Sequence, residues 1–338
     1  MEHALESAFL GFPVWGLIVV LAVALLVLGK GADMLVDEAV AFSVRMKIPT
    51  VVIGATVVSL GTTLPETSVS VMAALSGQPD IALGNAVGSI ICDTGLILGI
   101  GALISPLPLD RRIVNKQGWM QLGVGILLVL LCLPFHNLGG IFTEGGRLPQ
   151  WGGFLLVALL VVYIGWSIHS SRGMGDEIET PHDIAANTSS WAILAKLALG
   201  IALVILASKA VIPSGKILAV RAGVPPEVIS ASLIAFGTSL PELVTVVTSV
   251  LKGRGDLAVG NVIGADILNV LFVSGVSAAV TSGGLDASPV FFYKFFPFMV
   301  GILIVFRIGI WKGGKRLGRP FGALLLAIYA VFLWLNFQ

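Results

Sequence analysis

Two glutamates stand where a carboxylate is expensive. Glu66 and Glu242 each follow a proline inside a long apolar run, in GTTLPE from Gly61 and GTSLPE from Gly237. A charged side chain at the centre of a bilayer costs about 3 kcal/mol or more, and such residues commonly face the bundle interior and mark ion pathways. The competing interpretation, a neutral structural carboxyl, is weakened because the sequence places two of them at equivalent positions. Pro65 and Pro241 lack the amide hydrogen and crowd the carbonyl four residues back. They are expected to free carbonyls near Gly61 and Thr62, and near Gly237 and Thr238. Those carbonyls, the hydroxyls of Thr62, Thr63, Thr238 and Ser239, and the two carboxylates make a donor set of oxygen alone. Thr62 lies one helical turn before Glu66, so the two share a face. The bland alternative is a helix kink that serves packing only.

A second polar stripe follows each glutamate. Asn85, Ser89 and Asp93 recur at intervals of four and share one helix face. The partner stripe reads Asn261, Ala265 and Asn269, with Asp266 on a neighbouring face. Asparagines in such positions also serve as interhelical hydrogen-bonding groups. Carboxylates, hydroxyls and carbonyls suit hard cations such as Ca2+ and Na+, and Ca2+ takes six to eight oxygens in irregular geometry. Soft metals prefer sulfur and imidazole. The four histidines, His3, His136, His169 and His182, lie in expected loops or at ends, and Cys92 beside Asp93 is a lone thiol, so zinc is not expected. Asp93-Thr94-Gly95 spells the aspartic-protease string, but that chemistry needs two carboxylates sharing a proton. The second copy offers Asn269-Val270-Leu271 instead. A Gly-rich phosphate loop is also missing, which argues against ATP as the driving force.

The elements that must position these residues are membrane helices. Only 12% of the 338 residues are charged and 56% are hydrophobic, against about 25% charged in globular chains. The formal charge of +1 excludes a nucleic-acid binder working through a basic surface. The apolar residues form blocks of about 20, the length that crosses a bilayer. Ten spans are expected, near 14–35, 50–75, 81–104, 118–134, 150–168, 191–212, 226–251, 257–280, 290–310 and 320–337. The acidic N-terminus carries no basic region or cleavage site of a signal peptide. With both termini outside, 15 of the 20 Lys and Arg fall at inside-facing ends and five (Arg147, Lys209, Lys216, Arg221 and Lys294) outside, in accord with the positive-inside rule. An acidic loop, 171–190, joins the halves 1–170 and 191–338. Its sequon at Asn187 faces inside on this topology and is taken as chance. Cys92 and Cys132 both lie in apolar blocks and imply no disulfide framework.

The chain repeats itself. Gly61, Thr62, Leu64, Pro65 and Glu66 recur 176 residues later as Gly237, Thr238, Leu240, Pro241 and Glu242, and Asp80, Gly84, Asn85 and Gly88 recur as Asp256, Gly260, Asn261 and Gly264. The second and seventh spans carry these copies. An odd number of spans separates them, so they must cross in opposite directions. Inverted repeats typify many secondary transporters, with sites near the midplane where the repeats meet.

GTTLPE with GNAVGSIICD, and GTSLPE with GNVIGADILN, resemble the two alpha-repeats of the sodium/calcium exchanger family, within the calcium/cation antiporter superfamily. The resemblance is strong over about 45–105 and 221–281, and its doubled, ordered motifs are specific. It implies an all-α integral membrane protein of ten helices in two inverted five-helix halves, without a regulatory domain. It also implies exchange of Ca2+ for Na+, usually one for three, with the first and sixth helices sliding past the core. By position, Glu66 and Glu242 would be central Ca2+ ligands shared with Na+, and the Thr62 and Thr238 carbonyls would complete the shell. Thr63, Ser239, Ser89, Asp93 and Asn269 match the remaining polar positions, and Asp266 beside them is also a candidate metal ligand. Three departures stand out. Asp93 and Asn269 have acid and amide exchanged between the halves. Ala265 replaces a common serine. Ile90 and Asp266 stand where the family often has asparagine. The proton-coupled branch typically carries a glutamate after the second glycine of each GN segment. Ser89 and Ala265 stand there, which favours Na+ over H+ as counter-ion.

The expected function is therefore a Ca2+/Na+ antiporter of the cell (inner) membrane, with H+/Ca2+ exchange as the nearest alternative. Neither cofactor, nucleic acid nor obligate protein partner is expected; the ligands are the transported ions and the surroundings are lipid. A passive channel fits less well, because channels build filters from subunit rings. An intramembrane hydrolase would need peptide cleavage that depends on Asp93.

Overall fold

The computed structural model describes residues 8–110, 112–171, 189–222 and 237–336. The helices run, in chain order, α1 (Val14–Met46), α2 (Thr50–Thr62), α3 (Leu64–Leu75), α4 (Pro79–Ile104), α5 (Ile113–Cys132), α6 (Gln150–Ser171), α7 (Ser190–Arg221), α8 (Leu240–Leu251), α9 (Gly255–Val280), α10 (Phe291–Lys312) and α11 (Arg319–Asn336). All except α2, α3 and α8 are long and apolar enough to cross a membrane, which makes eight among the described residues. Residues 226–236 of the expected seventh span, 172–188 of the expected acidic loop, and Arg111, His3 and His182 lie outside the described residues.

The span expected at 50–75 is two helices. They are separated by a one-residue turn at Thr63 (φ −80°, ψ −3°), and Pro65 sits in the first turn of α3. Ser239 precedes α8 (φ −87°, ψ 10°), with Pro241 in the first turn. A proline there loses nothing, because the first amides of a helix have no intrahelical acceptor.

Two helices overrun their expected ends. α1 reaches Met46 rather than about 35, and α7 reaches Arg221 rather than about 212. Bilayer thickness sets only a minimum length; here the helices run on because they pack antiparallel along one another. Arg221 donates to the Phe12 and Leu10 carbonyls (2.6 and 2.8 Å) at one end, and Arg45 donates to Ser190 Oγ (3.1 Å) at the other. Between them, a Cβ on Gly31 would stand 2.9 Å from Leu203 Cβ, and one on Gly200 would stand 2.9 Å from the Leu35 amide nitrogen. α7 passes through Pro213, where the Ser214 hydroxyl bonds the carbonyls of Ala210 (2.6 Å) and Val211 (3.0 Å). α5 starts at Ile113, ahead of the expected 118, and buries Gln117 and Gln121.

α4 and α9 form the centre and are the most buried long helices. They run antiparallel. The first half of α4 packs on residues 269–274 of α9, and the first half of α9 packs on residues 93–97 of α4. α3 meets the last turns of α9, and α8 meets the last turns of α4. Two short antiparallel clips, which the sequence did not lead us to expect, close the connections. β1 (Leu107–Pro108) pairs with β4 (Arg316–Leu317), and β2 (Gly146–Leu148) pairs with β3 (Leu285–Ala287). The Arg147–Asp286 ion pair on the second clip is 2.8 Å long and more than half exposed on both sides. Arg147→Ala is expected to cost less than about 1 kcal/mol, as exposed pairs do. A thermal melt that falls by many degrees would contradict that.

Candidate cation site

The four carboxylates singled out in the sequence are all interior: Glu66, Glu242, Asp93 and Asp266 are each 1% exposed. Thr62, Thr63, Ser89, Ser239, Asn261 and Asn269 are also buried, while Thr238 and Asn85 are half-buried. The helix breaks do the positioning. Glu66 and Glu242 fall in the first turns of α3 and α8, just past the interruptions at Thr63 and Ser239.

Each glutamate faces the other copy of the motif. Glu66 lies within reach of the charges of Glu242 and Asp93 and beside Ser239. Glu242 lies beside Thr62 and Thr63. Asp93 lies within reach of Glu242 and Asp266 and beside Ser239. The structure thus brings together Glu66, Glu242, Asp93, Thr62, Thr63 and Ser239 from both copies.

Hydrogen bonds across the copies come in matched pairs. Thr62 Oγ1 donates to Asn261 Oδ1 at 3.5 Å, and its equivalent Thr238 Oγ1 donates to Asn85 Oδ1 at 3.3 Å. Asn269 Nδ2 donates to Asp93 Oδ2 at 3.4 Å, joining a second pair of equivalents. Asn85 also donates to the Glu66 carbonyl (3.4 Å) and Ser70 Oγ (3.0 Å). The asparagines therefore do act as interhelical ties, and Asp93 shares in that task through Asn269.

Several oxygens are left over. Thr63 Oγ1, Glu66 Oε2, Asp93 Oδ1, Ser239 Oγ, Glu242 Oε2 and Asn269 Oδ1 are buried without a protein partner. One unsatisfied buried polar group costs about 1–3 kcal/mol, and more when charged. No Lys or His is buried among the described residues to offset them, and the half-buried Arg307 bonds Asn115 rather than one of these carboxylates. The described residues hold no compact group of three or more His, Cys, Asp and Glu. The set is instead one of carboxylates interleaved with hydroxyls and amides, which is hard-cation chemistry.

Two features were not read from the sequence. Asp93 opens a wide π-helical turn, Asp93–Ile97, and Asn269 opens another, Asn269–Ser274. Such turns are frequent at functional sites; here they fall at the same place in both copies, and Ser274 Oγ donates to the Asn269 carbonyl at 3.0 Å. The second feature is the partnership of Asp266. Its Oδ2 accepts from Thr94 Oγ1 and, at 2.5 Å, from Gln121 Nε2 of α5. Gln121 carried a signal after all: with Gln117 it places two polar residues one turn apart in an apolar helix.

Glycines let the backbones meet. A Cβ on Gly54 would lie 2.6 Å from the Leu257 carbonyl oxygen, and one on Gly264 would lie 2.5 Å from Ala55 Cα. α9 thus rests directly on the backbone of α2.

An α-helical chain with eight helices able to cross a membrane among its described residues, and buried oxygen ligands from both motif copies, has the features of an ion transporter. Comparison with known proteins gives the family. The sodium/calcium exchanger protein family profile matches residues 16–169 and 192–338, and the chain belongs to that family. It is similar to inner membrane protein YrbG of Escherichia coli (strain K12), at 34% identity over 94% of this chain and 98% of that one. It is similar to sodium/calcium exchanger MaX1 of Methanosarcina acetivorans, at 28% identity over 93% of this chain and 96% of the relative. A solved structure of the sodium-calcium exchanger NCX_Mj, soaked with 10 mM Na+ and zero Ca2+, superposes with a TM-score of 0.79 at 28% identity, covering 94% of this chain and 98% of the other.

Proposed function

We propose that the chain is a secondary antiporter of the cell (inner) membrane that exchanges Ca2+ for Na+ by alternating access. The observation that carries this reading is the group of unpartnered buried oxygens supplied by both motif copies. Glu66 and Glu242 are the central Ca2+ ligands. The Thr62 and Thr238 carbonyls, Thr63, Ser239, Ser89, Asp93 and Asn269 provide the remaining Ca2+ and Na+ positions, and Asp266 lies next to them. One Ca2+ or several Na+ neutralise the same buried charge, so the ions compete for it. Exchange follows if the protein changes sides readily only when that charge is offset, because moving bare carboxylates through an apolar interior is costly.

The architecture that fits this reading is ten helices in two inverted halves, 1–170 and 191–338, with alpha-repeats at 45–105 and 221–281 and a short acidic loop at 171–190. The broken pair α2–α3 then counts as the second span, and α8 as the described part of the seventh. Both termini face outside. The antiparallel packing of α4 on α9 supports the inversion. The long α1–α7 pair is the element that slides. No cofactor or obligate protein partner is part of this proposal.

The test is Ca2+ uptake into proteoliposomes with and without an outward Na+ gradient. Uptake that depends on the gradient supports Na+ coupling. Uptake driven by a pH gradient alone, with no response to Na+, would instead favour H+/Ca2+ exchange. Flux far above transporter turnover, without counter-ion, would point to a channel. A narrower prediction concerns Ala265, which is fully buried. Ala265→Ser adds a buried hydroxyl one turn before Asn269 and is expected to change the apparent Na+ affinity more than the Ca2+ affinity. Equal changes in both would remove the sodium role assigned to that position.

A further inference from the structure

Three acids on the inner half of α1 have two different jobs. Glu38 meets Lys196 of α7 at 3.3 Å and helps to hold α1 and α7 together as one body. Asp33 and Asp37 instead meet Lys252, the residue that follows α8. Lys252 Nζ donates to Asp37 Oδ1 at 2.8 Å and to the Asp33 carbonyl at 3.1 Å, with Asp33 Oδ1 at 3.3 Å. Asp33 and Asp37 lie one turn apart on α1, so both carboxylates face the same ammonium. The Lys252 side chain is 28% exposed, which leaves the contact only partly screened by solvent.

The repeat makes this contact one-sided. At the offset of 176 residues, α1 corresponds to α7 and α8 corresponds to α3. The packing of α1 on α8 therefore has an equivalent in the packing of α7 on α3. Among the described residues the first is extensive and the second is not. The two halves thus stand in different arrangements, closed where α1 meets α8 and parted where α7 would meet α3. Because the repeats are inverted, exchanging those arrangements opens one face and closes the other. The ion pairs are not carried over in that exchange. Lys252, Asp33 and Asp37 correspond to Ser76, Lys209 and Pro213, which offer no carboxylate and so no such bridge. The opposite state loses the Lys252 contacts and gains no equivalent.

We propose that Lys252, Asp33 and Asp37 form an ionic latch that holds the α1–α7 pair against the end of α8. The latch biases the ion-free protein toward the state closed at that face, which is the inside on the topology above. The proposal rests on the exchanger reading for its transport consequence, but its conformational consequence stands alone. Partly exposed ion pairs contribute up to about 1 kcal/mol, so the latch shifts the balance between the two states about fivefold.

The experiment places spin labels on the full chain at Leu26→Cys, on the exposed side of α1, and at Ser105→Cys, exposed just past α4. The native Cys92 and Cys132 are buried. Label-to-label distances are measured in liposomes free of Na+ and Ca2+. Lys252→Met is expected to raise the ratio of the minor to the main distance population about fivefold, and Lys252→Arg to keep the parent ratio. Concentrated choline chloride is expected to move the parent in the same direction as Lys252→Met and to leave that variant unmoved, because salt screens only a pair that exists. An unchanged distribution in Lys252→Met, or an equal salt response in both proteins, would overturn the latch. In transport, the apparent Ca2+ affinity of Lys252→Met is expected to tighten at one membrane face only, as a larger competent fraction requires. An equal change at both faces would place the defect in the ion site and refute the proposal. If the parent protein shows no Na+-driven Ca2+ uptake, the exchanger reading fails while the label distances still decide whether Lys252 holds the pair.

Discussion

Glu66→Gln or Glu242→Gln is expected to reduce Ca2+ exchange by two to three orders of magnitude without unfolding the protein. One carboxylate about 4 Å from a divalent ion contributes about 8 kcal/mol at an effective dielectric constant of 20, and desolvation takes back roughly half, leaving about 4 kcal/mol. At about 1.4 kcal/mol per tenfold, that is nearly a thousandfold in affinity. Glutamine keeps the shape and one oxygen but removes the charge that a divalent ion must meet. The fold has the opposite interest, because Glu66 Oε2 and Glu242 Oε2 are buried without partners. Neutralising either one lifts a desolvation cost from the ion-free state. The ion-free melting temperature is therefore expected to hold or rise in each variant, and the rise on adding Ca2+ is expected to disappear, as linkage requires when binding is lost. Retained exchange in either variant, measured as 45Ca2+ uptake, would remove that glutamate from the ion path.

The second large effect is steric. Gly264→Ala is expected to abolish exchange and lower the yield of folded protein, because the new Cβ would stand 2.5 Å from both Ala55 Cα and the Ala55 carbonyl oxygen. Backbone atoms cannot turn aside as a flexible side chain can, so α9 must lift away from α2. Overpacking commonly costs about 1–3 kcal/mol and shifts the backbone. Asp266 and Asn269 follow within five residues on α9, and Thr62 lies at the end of α2, so the two sides of the site would part. Gly123→Ala is the control, since nothing lies within 4 Å of its would-be Cβ. Size-exclusion profiles and 45Ca2+ uptake of both variants decide the matter; equal behaviour would show that the close approach is not required.

What the sequence made legible follows from what was duplicated. Pro65-Glu66 and Pro241-Glu242 are conspicuous because proline and a carboxylate are both costly in an apolar helix, and the costs recur at a fixed offset. That logic pointed to freed carbonyls near Thr62 and Thr238, but it drew 50–75 as one span where the fold has two helices separated at Thr63. The asparagines at 85 and 261 were ambiguous between ion ligand and interhelical tie, and the cross-copy bonds show the tie. Helix length was less legible. Hydropathy marks the stretch that must be in lipid, whereas α1 and α7 run on to Met46 and Arg221 because each covers the other. The two β clips have two or three residues per strand, too few to show any periodicity. The wide turns at Asp93 and Asn269 depend on helix packing and have no local signature. Gln121 was visible as a polar residue, but its link to Asp266 across 145 positions is a property of the fold.

The central claim is that one divalent ion sits between the two motif glutamates and gives way to Na+. The most direct measurement is an anomalous difference map from crystals of the protein soaked in Sr2+ as the Ca2+ substitute, repeated at high Na+. The account predicts one strong peak bonded to carboxylate oxygens of both Glu66 and Glu242, at roughly the 2.3–2.6 Å of Ca2+ coordination or slightly beyond, and its disappearance when Na+ is raised. A peak that touches neither glutamate, or one that persists undiminished as Na+ saturates, would contradict it.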